Sequence, residues 1–215
     1  IFEDEWDQQQ DIVKDRIRHI LKIPSERTIY ARKCVIKEVD AKTKNTFLKQ
    51  NHIQGSDTST KTNLGAFFND ELIAVMTFKP TSFVKGGDGL EMELSRFAIK
   101  INHSVPGIAG KLLKHYIKST ETESVISYAD MRWSNGDLYK ALGFKYVHKS
   151  EPSYWYVGED LLFRHHRSRY MKHILVSKYN ADESMSESEI MLDMGFVRLY
   201  DAGASKWQYN IRENS

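Results

Sequence analysis

Cysteine and proline are scarce in this chain of 215 residues, which holds one Cys and four Pro. The lone Cys34 excludes an internal disulfide framework and suits a reducing compartment, so a cytoplasmic setting is expected. Metal-ligand spacing is missing as well. The eight histidines are scattered, and neither Cys-x-x-Cys nor His-Glu-x-x-His occurs, so no metal site is expected. No apolar run approaches the roughly 18 residues that a membrane span needs, and the start lacks the pattern of a secretory leader. Net charge is also small. Lys and Arg number 31 against 29 Asp and Glu, a balance of +2. A nucleic-acid surface therefore has to be a local cluster, not a global field.

What is present suits a folded core, since 40% of residues are hydrophobic and 12% aromatic. The length fits one medium domain with an appendage, or two small ones. The chain opens on Ile1 in "IFEDEW" without a methionine, as expected of a piece of a longer protein.

Along the chain, Asp11 to Lys22 puts Ile12, Val13, Ile17, Ile20 and Leu21 on one helical stripe, with Pro24 just beyond. "TIYARKCVIKEV" alternates as a strand, and "AKTKNTFLKQNH" reads as a short helix. "LGAFF" and "ELIAVMTFKP" flank Asn69-Asp70 as a hairpin. "VKGGDG" is a loop, and in "LEMELSRFAIK" Leu90, Met92 and Leu94 alternate with Glu91, Glu93 and Ser95, as in a half-buried strand. Then come a glycine loop, the helix "KLLKHYIKS", the buried strand "SVISYAD", a helix stopped at Gly143-Phe144, and the strand "SYWYVG". This order predicts an α/β fold with a mixed sheet flanked by helices.

Residues 1–30 are expected to be a helical linker, 31–158 the α/β domain, and 159–215 a small basic α+β appendage. In the appendage, "LLFRHHRSRYMKHILVSKY" reads as a helix, "ADESMSESEIMLDMGF" as another, and "VRLYDAGASKWQYN" as a hairpin turning at Ala202-Gly203. One echo is visible: Trp155 follows Phe144, and Trp207 follows Phe196, by eleven positions in each case.

The run from Leu90 to Val157 resembles the GNAT superfamily of N-acetyltransferases. "ELSRFAIK" leads through a glycine loop into a helix, Gly107-Ile108-Ala109 fits the second half of the family's Gln/Arg-x-x-Gly-x-Gly/Ala loop, and "NGDLYKALGF" matches its Asn…Tyr-x-x-x-Gly-Phe helix. The resemblance implies a GNAT-like mixed sheet and acetyl-CoA or another acyl-CoA held on Gly107, Ile108, Ala109 and Gly110. The physical basis is that backbone N–H groups at a glycine turn and a helix N-terminus favour a pyrophosphate. Ser104 stands where the family has Gln or Arg, and Pro106 removes a donor. Over a longer span, "FLKQNHIQG", "LGAFFNDELIAVMTF" and "SEIMLDMGFVRLYDAG" are similar to the C-terminal region of phage homing endonucleases of the Vsr-like (EDxHD) type, a region related to the Mom family. That resemblance implies DNA as a partner, with "IFEDEW" as the last strand of a nuclease whose cleavage centre lies upstream.

Candidate residues follow. By the resemblance, Tyr139 is the general acid that protonates the leaving thiolate; the plain alternative is a helix aromatic lining the core. Asp130, Arg132, Ser134 and Asn135 sit after a buried strand, where open α/β sheets gather ligands, although Ser134 or Asn135 also suits a helix cap. His52 is a base or DNA contact, or an ordinary surface residue. Arg96 and His103 flank the glycine loop; Arg96 meets a phosphate or pairs with Glu91 or Glu93. Arg164, Arg167, Arg169 and Lys172, in a run without acids, are expected to hold nucleic-acid phosphates; a solvated face is the alternative. Three functions remain open: a DNA-engaging domain, an acyl-CoA-dependent transferase acting on a nucleobase or other amine, and a structural or virion-associated domain without activity.

Overall fold

The computed structural model describes residues 1–81, 90–159 and 163–212. The chain opens with α1 (Glu3–Ile20), which carries three acids in its first turn, where the positive end of the helix dipole favours them. "IFEDEW" is thus mostly helix and not a nuclease strand. The expected strand over "TIYARKCVIKEV" is broken into β1 (Arg27–Thr28), a 3-10 turn at Ala31–Lys33 and β2 (Val35–Glu38). The break arises because β1 pairs with β6 (His103–Ser104), whereas β2 pairs with β3 (Thr62–Phe68). Between β2 and β3 lies α2 (Ala41–Asn51), capped by the Asp40 carboxylate on the Thr43 N–H at 2.9 Å. β3 joins β4 (Glu71–Pro80) through Asn69 and Asp70. Both have positive φ, +49° and +62°, as a two-residue hairpin turn requires. The "VKGGDG" loop falls outside the described residues.

β5 (Glu91–Ile99) leads to β6, to α3 (Ile108–Lys118) and to β7 (Ser124–Asp130). Then come α4 (Asp137–Ala141), β8 (Lys145–Lys149) and β9 (Tyr154–Val157). The chain ends with β10 (Arg164–His166), a 3-10 turn, α5 (Lys172–Tyr179), α6 (Glu187–Asp193), β11 (Val197–Tyr200) and β12 (Ala204–Asn210). The main sheet has seven strands in the order β2-β3-β4-β5-β7-β12-β8. Only β5 and β7 are parallel within it. The main core lies between this sheet and α3, where Leu112 and Tyr116 meet Leu64, Met76 and Phe78, and the Tyr116 ring stacks on Phe78 at 3.5 Å. On the other face α2 packs Phe47 and Leu48 on Val75 and Ala98. Among the described residues, no helix is long and apolar enough to cross a membrane.

Three expectations about the end of the chain are corrected. The basic run from Arg164 is not one α-helix: Arg164 to His166 ladder with Val157 to Trp155, Arg167–Arg169 is a 3-10 turn, and the α-helix begins only at Lys172. β11 and β12 do not form a hairpin with each other: β11 pairs with β9 in a small three-stranded sheet, while β12 lies in the main sheet between β7 and β8. Residues 159–215 are therefore not a separate appendage. The segment between β8 and β12 is an insertion, and the chain then returns to complete the sheet. The echo between Trp155 and Trp207 has a physical counterpart here. β8 hands over to β9, and β11 to β12, so two segments cross between the same two sheets in opposite directions, side by side.

Candidate active site

β5 and β7 are paired only over Glu91–Ser124, Met92–Val125 and Glu93–Ile126, and then part. At the same level β5 carries a bulge. Thr77 of β4 faces Arg96 and Phe78 faces Leu94, leaving Ser95 as the extra residue. A bulge reverses which side chains face each side of a sheet. Before it, Met92 and Leu94 point into the core under α3; after it, Ala98 joins Phe47 and Leu48 below α2. The bulge thereby turns Arg96 toward the opened gap, and beyond Glu93 the β5 edge has no strand partner on that side among the described residues.

Ser127, buried in β7, bridges the base of the gap by donating its Oγ proton to Leu94 O at 2.8 Å. Tyr139 Oη lies 2.9 Å from the same Oγ. Ser127 Oγ is placed to donate to either Leu94 O or the phenol oxygen, so the phenol accepts in that contact and keeps its own proton free of Ser127. The ring is held by Trp207, stacked with centroids 6.0 Å apart, and edge-on by Phe144 at 5.5 Å. Burial raises the phenol pKa above its ordinary value, against the opposing effects of the Ser127 hydrogen bond and the Arg96 charge. Tyr139 is therefore protonated throughout the neutral range, as a proton donor must be.

A cavity of about 600 Å³ adjoins the gap, lined by Glu93 and Arg96 from β5, Asp130 from β7, Trp155 from the insertion and Glu5 from α1. Glu93 also pairs with Lys79 at 3.1 Å. Arg96 forms neither of the expected ion pairs among the described residues: it donates to Ser95 O at 2.7 Å, and its buried Nε has no partner. Sequence reasoning missed the parts played by Ser127, Glu93 and Trp155. The one available signal was a serine in the middle of a buried apolar strand.

The other candidates take the following places. His52 closes α2, and its Nδ1 accepts the Gln54 N–H at 3.1 Å. Burial, and then the charges of Arg96 and Arg16, push its pKa down to about 3. A group that weak accepts few protons at neutral pH, so this geometry does not provide a base at His52. Stability should respond instead. With the folded pKa below the ordinary 6.5, the unfolded chain binds the extra proton as pH falls. The contribution is whole above pH 6.5 and shrinks toward pH 3, with a slope of up to about 1.4 kcal/mol per pH unit. His52→Asn keeps an acceptor for Gln54 and should flatten the urea-unfolding free energy between about pH 5 and 6.5.

Asp130 and Arg132 form a pair, with Arg132 Nη2 on Asp130 Oδ2 at 2.7 Å, and Arg132 Nη1 also donates to Glu5 at 2.9 Å. Ser134 Oγ accepts the Gly136 N–H and so shapes the turn before α4, while Asn135 is exposed. Arg164 is drawn inward, with Nε on Asp4 at 2.8 Å and Nη2 on Glu5 at 3.2 Å. In this structure Arg132 and Arg164 are thus both paired with acids of α1. Arg167, Arg169 and Lys172 remain exposed. His103 bonds Ile101 O through Nδ1, and its buried Nε2 has no partner among the described residues.

The glycine loop fits an anion in part. Gly107 caps α3 with φ +82°, a conformation that side chains rarely adopt. The departures Ser104 and Pro106 have a structural use, because their carbonyls accept the N–H groups of Ile29 and Ala31. Ile108 N–H goes to Val105 O, while Ala109 and Gly110 N–H groups have no backbone acceptor among the described residues. The Ile108 and Ala109 side chains are buried, so only backbone is available to a ligand there. No group of three or more His, Cys, Asp or Glu among the described residues is placed to hold a metal.

Comparison with known proteins bears on this arrangement. The profile of the Mom protein family matches residues 33–196. The chain belongs to the Mom protein family. The match ends at Phe196, before the Mom-family chain returns through β12 to its main sheet. No curated protein matches the sequence. Solved structures similar to it include a GNAT family acetyltransferase from Elizabethkingia anophelis with acetyl-CoA bound, at 15% identity and TM-score 0.48, covering 83% of this chain and 99% of that one. A Bacillus subtilis acetyltransferase in complex with CoA matches at 13% identity and TM-score 0.47, with the same coverage of 83% and 99%. An IAA acetyltransferase from Bacillus cereus matches at 14% and 0.47, again covering 83% and 99%.

Proposed function

We propose that this Mom-family chain is an acyl-CoA-dependent N-acyltransferase acting on an amine of nucleobase size. The observation that carries the proposal is the parting of β5 and β7 beside Tyr139, whose phenol keeps its proton. Acyl-CoA, when bound, supplies an activated thioester carbonyl. The unpartnered edge of β5 past Glu93 can take an extended chain as a further strand would. The Ala109 and Gly110 N–H groups, at the N-terminus of α3, suit a pyrophosphate. Tyr139 holds a proton at Oη for a leaving anion. Glu93, in the wall of the cavity, is the carboxylate placed to take a proton from an attacking amine. The cavity volume falls in the range of small-molecule sites.

DNA as carrier of the acceptor is the finer part of the proposal. The exposed Arg167, Arg169 and Lys172 support it, since each phosphate contact adds to salt-dependent affinity. The nuclease domain implied by the homing-endonuclease resemblance, and a phage source, would lie outside this chain, and the transferase reading does not need them. The test is incubation with a panel of acyl-CoA donors and DNA, followed by digestion and mass measurement of the nucleosides. An acyl increment on an amino base is expected. No donor consumed with DNA, nucleosides or simple amines would contradict the transferase and favour a domain that kept the fold without activity.

A further inference from the structure

Two arginines expected to meet an outside ligand instead hold the start of their own chain. Arg132 and Arg164 both lie over the Phe2 ring, each with its guanidinium carbon 4.2 Å from the centroid. Both also bind Glu5, at 2.9 and 3.2 Å, and Arg164 binds Asp4 at 2.8 Å. The ring and carboxylates supply together what a ring bearing a phosphate would supply. We propose that the Arg132–Arg164 pair is a binding site for an aromatic anion, and that Phe2, Asp4 and Glu5 fill it as a removable plug.

Charge supports removability. With the plug in place, Arg132, Arg164 and the neighbouring Arg16 face three carboxylates, those of Asp4, Glu5 and Asp130, a balance of 3 − 3 = 0. With it withdrawn they face Asp130 alone, a balance of 3 − 1 = +2 that favours an incoming anion. The closed state also leaves polar atoms unsatisfied: Asp4 Oδ1 and Gln9 Oε1 are buried without partners among the described residues. A hinge is present as well. Gln9 has non-helical angles, φ −137° and ψ 36°, which split α1. Beyond it Ile12 and Val13 are buried against Ile53 and anchor the rest of the helix. Before it, Glu5 is the only buried residue, at 2% exposure, and Trp6 is exposed. Residues 2–8 can therefore swing about Gln9 while 10–20 stay anchored, at the loss of the Lys14 contact with the Trp6 ring. Glu5, Gln9, Arg132, Arg164 and Trp155 all line the cavity beside the β5–β7 gap, so the plug sits at its wall. The proposal rests on the reading above only in taking that cavity as the acceptor side.

The test is calorimetric titration with phenyl phosphate and with inorganic phosphate. Asp4→Asn/Glu5→Gln is expected to bind phenyl phosphate at least about tenfold more tightly than the unmodified chain, the factor lost by a site closed nine-tenths of the time. Arg164→Ala should abolish that binding. Equal affinity in the double variant and the unmodified chain, or binding kept by Arg164→Ala, would overturn the plug. An equal gain for inorganic phosphate would overturn the aromatic assignment. If the double variant does not fold, amide exchange of the unmodified chain decides: residues 2–8 should lose protection as phenyl phosphate is added, and unchanged protection overturns the proposal. Neither readout needs acyl transfer, so failure of the transferase assay would leave this result standing.

Discussion

Tyr139→Phe is expected to lower the turnover of acyl transfer by about 10²- to 10⁴-fold, the range supplied by a positioned general acid. The substitution removes one oxygen and keeps the ring between Trp207 and Phe144. Ser127 keeps its bond to Leu94 O, so the base of the gap stays closed. Stability should fall by only about 1 kcal/mol, the net worth of one hydrogen bond. Donor affinity should change little, because the β5 edge and the glycine loop are untouched. The discriminating measurement is single-turnover kinetics with donors of different leaving-group acidity. A thiol that leaves readily without protonation should restore much of the lost rate. Turnover unchanged in Tyr139→Phe would assign the residue to packing alone.

Trp207→Ala is the second large effect, expected to cost about 3–5 kcal/mol, as for other buried aromatics cut to Ala. Trp207 is 4% exposed and stands where β12 meets β8 and α4. Its ring faces Tyr139 and Tyr146, and its Nε1 donates to Ser205 Oγ at 2.9 Å. Packing there is tight: a Cβ added to Gly136 would come within 2.1 Å of the Trp207 ring, and the φ of +79° at Gly136 disfavours any side chain. A chain whose last strand were part of a separable tail would lose little from this change. The interior strand position predicts a lower urea midpoint for the whole protein, together with loss of activity as Tyr139 loses its support. A normal midpoint in Trp207→Ala would contradict the placement of β12.

The contrast between these two residues shows what was legible in the sequence. Tyr139, its helix and the Gly143 stop were readable because each is set by neighbours a few positions away. The same holds for the Asn69-Asp70 hairpin and for the helices α2 and α6. Trp207 reads as half of a local hairpin, with its turn at Ala202-Gly203. A turn does form there, with Asp201 Oδ1 accepting the Gly203 N–H at 2.8 Å, but it carries the chain from one sheet to another. The partners of β12 are β7 and β8, far back in the chain, and no periodicity encodes that pairing. Arg164 shows the same limit for charge. A run without acids looked free for phosphates, yet the acids that hold it are Asp4 and Glu5, at the other end of the chain. Ser127 was invisible for a subtler reason: its role depends on β5 and β7 parting at its own level, a property of the pair and not of either strand.

The most direct measurement of the central claim is amide hydrogen exchange with and without acetyl-CoA. Binding in the opened gap predicts added protection at residues 94–99 on the β5 edge and at 107–110 at the start of α3, with β2 and β3 unchanged. Protection that appears elsewhere, or no change at the β5 edge at saturating acetyl-CoA, would contradict it.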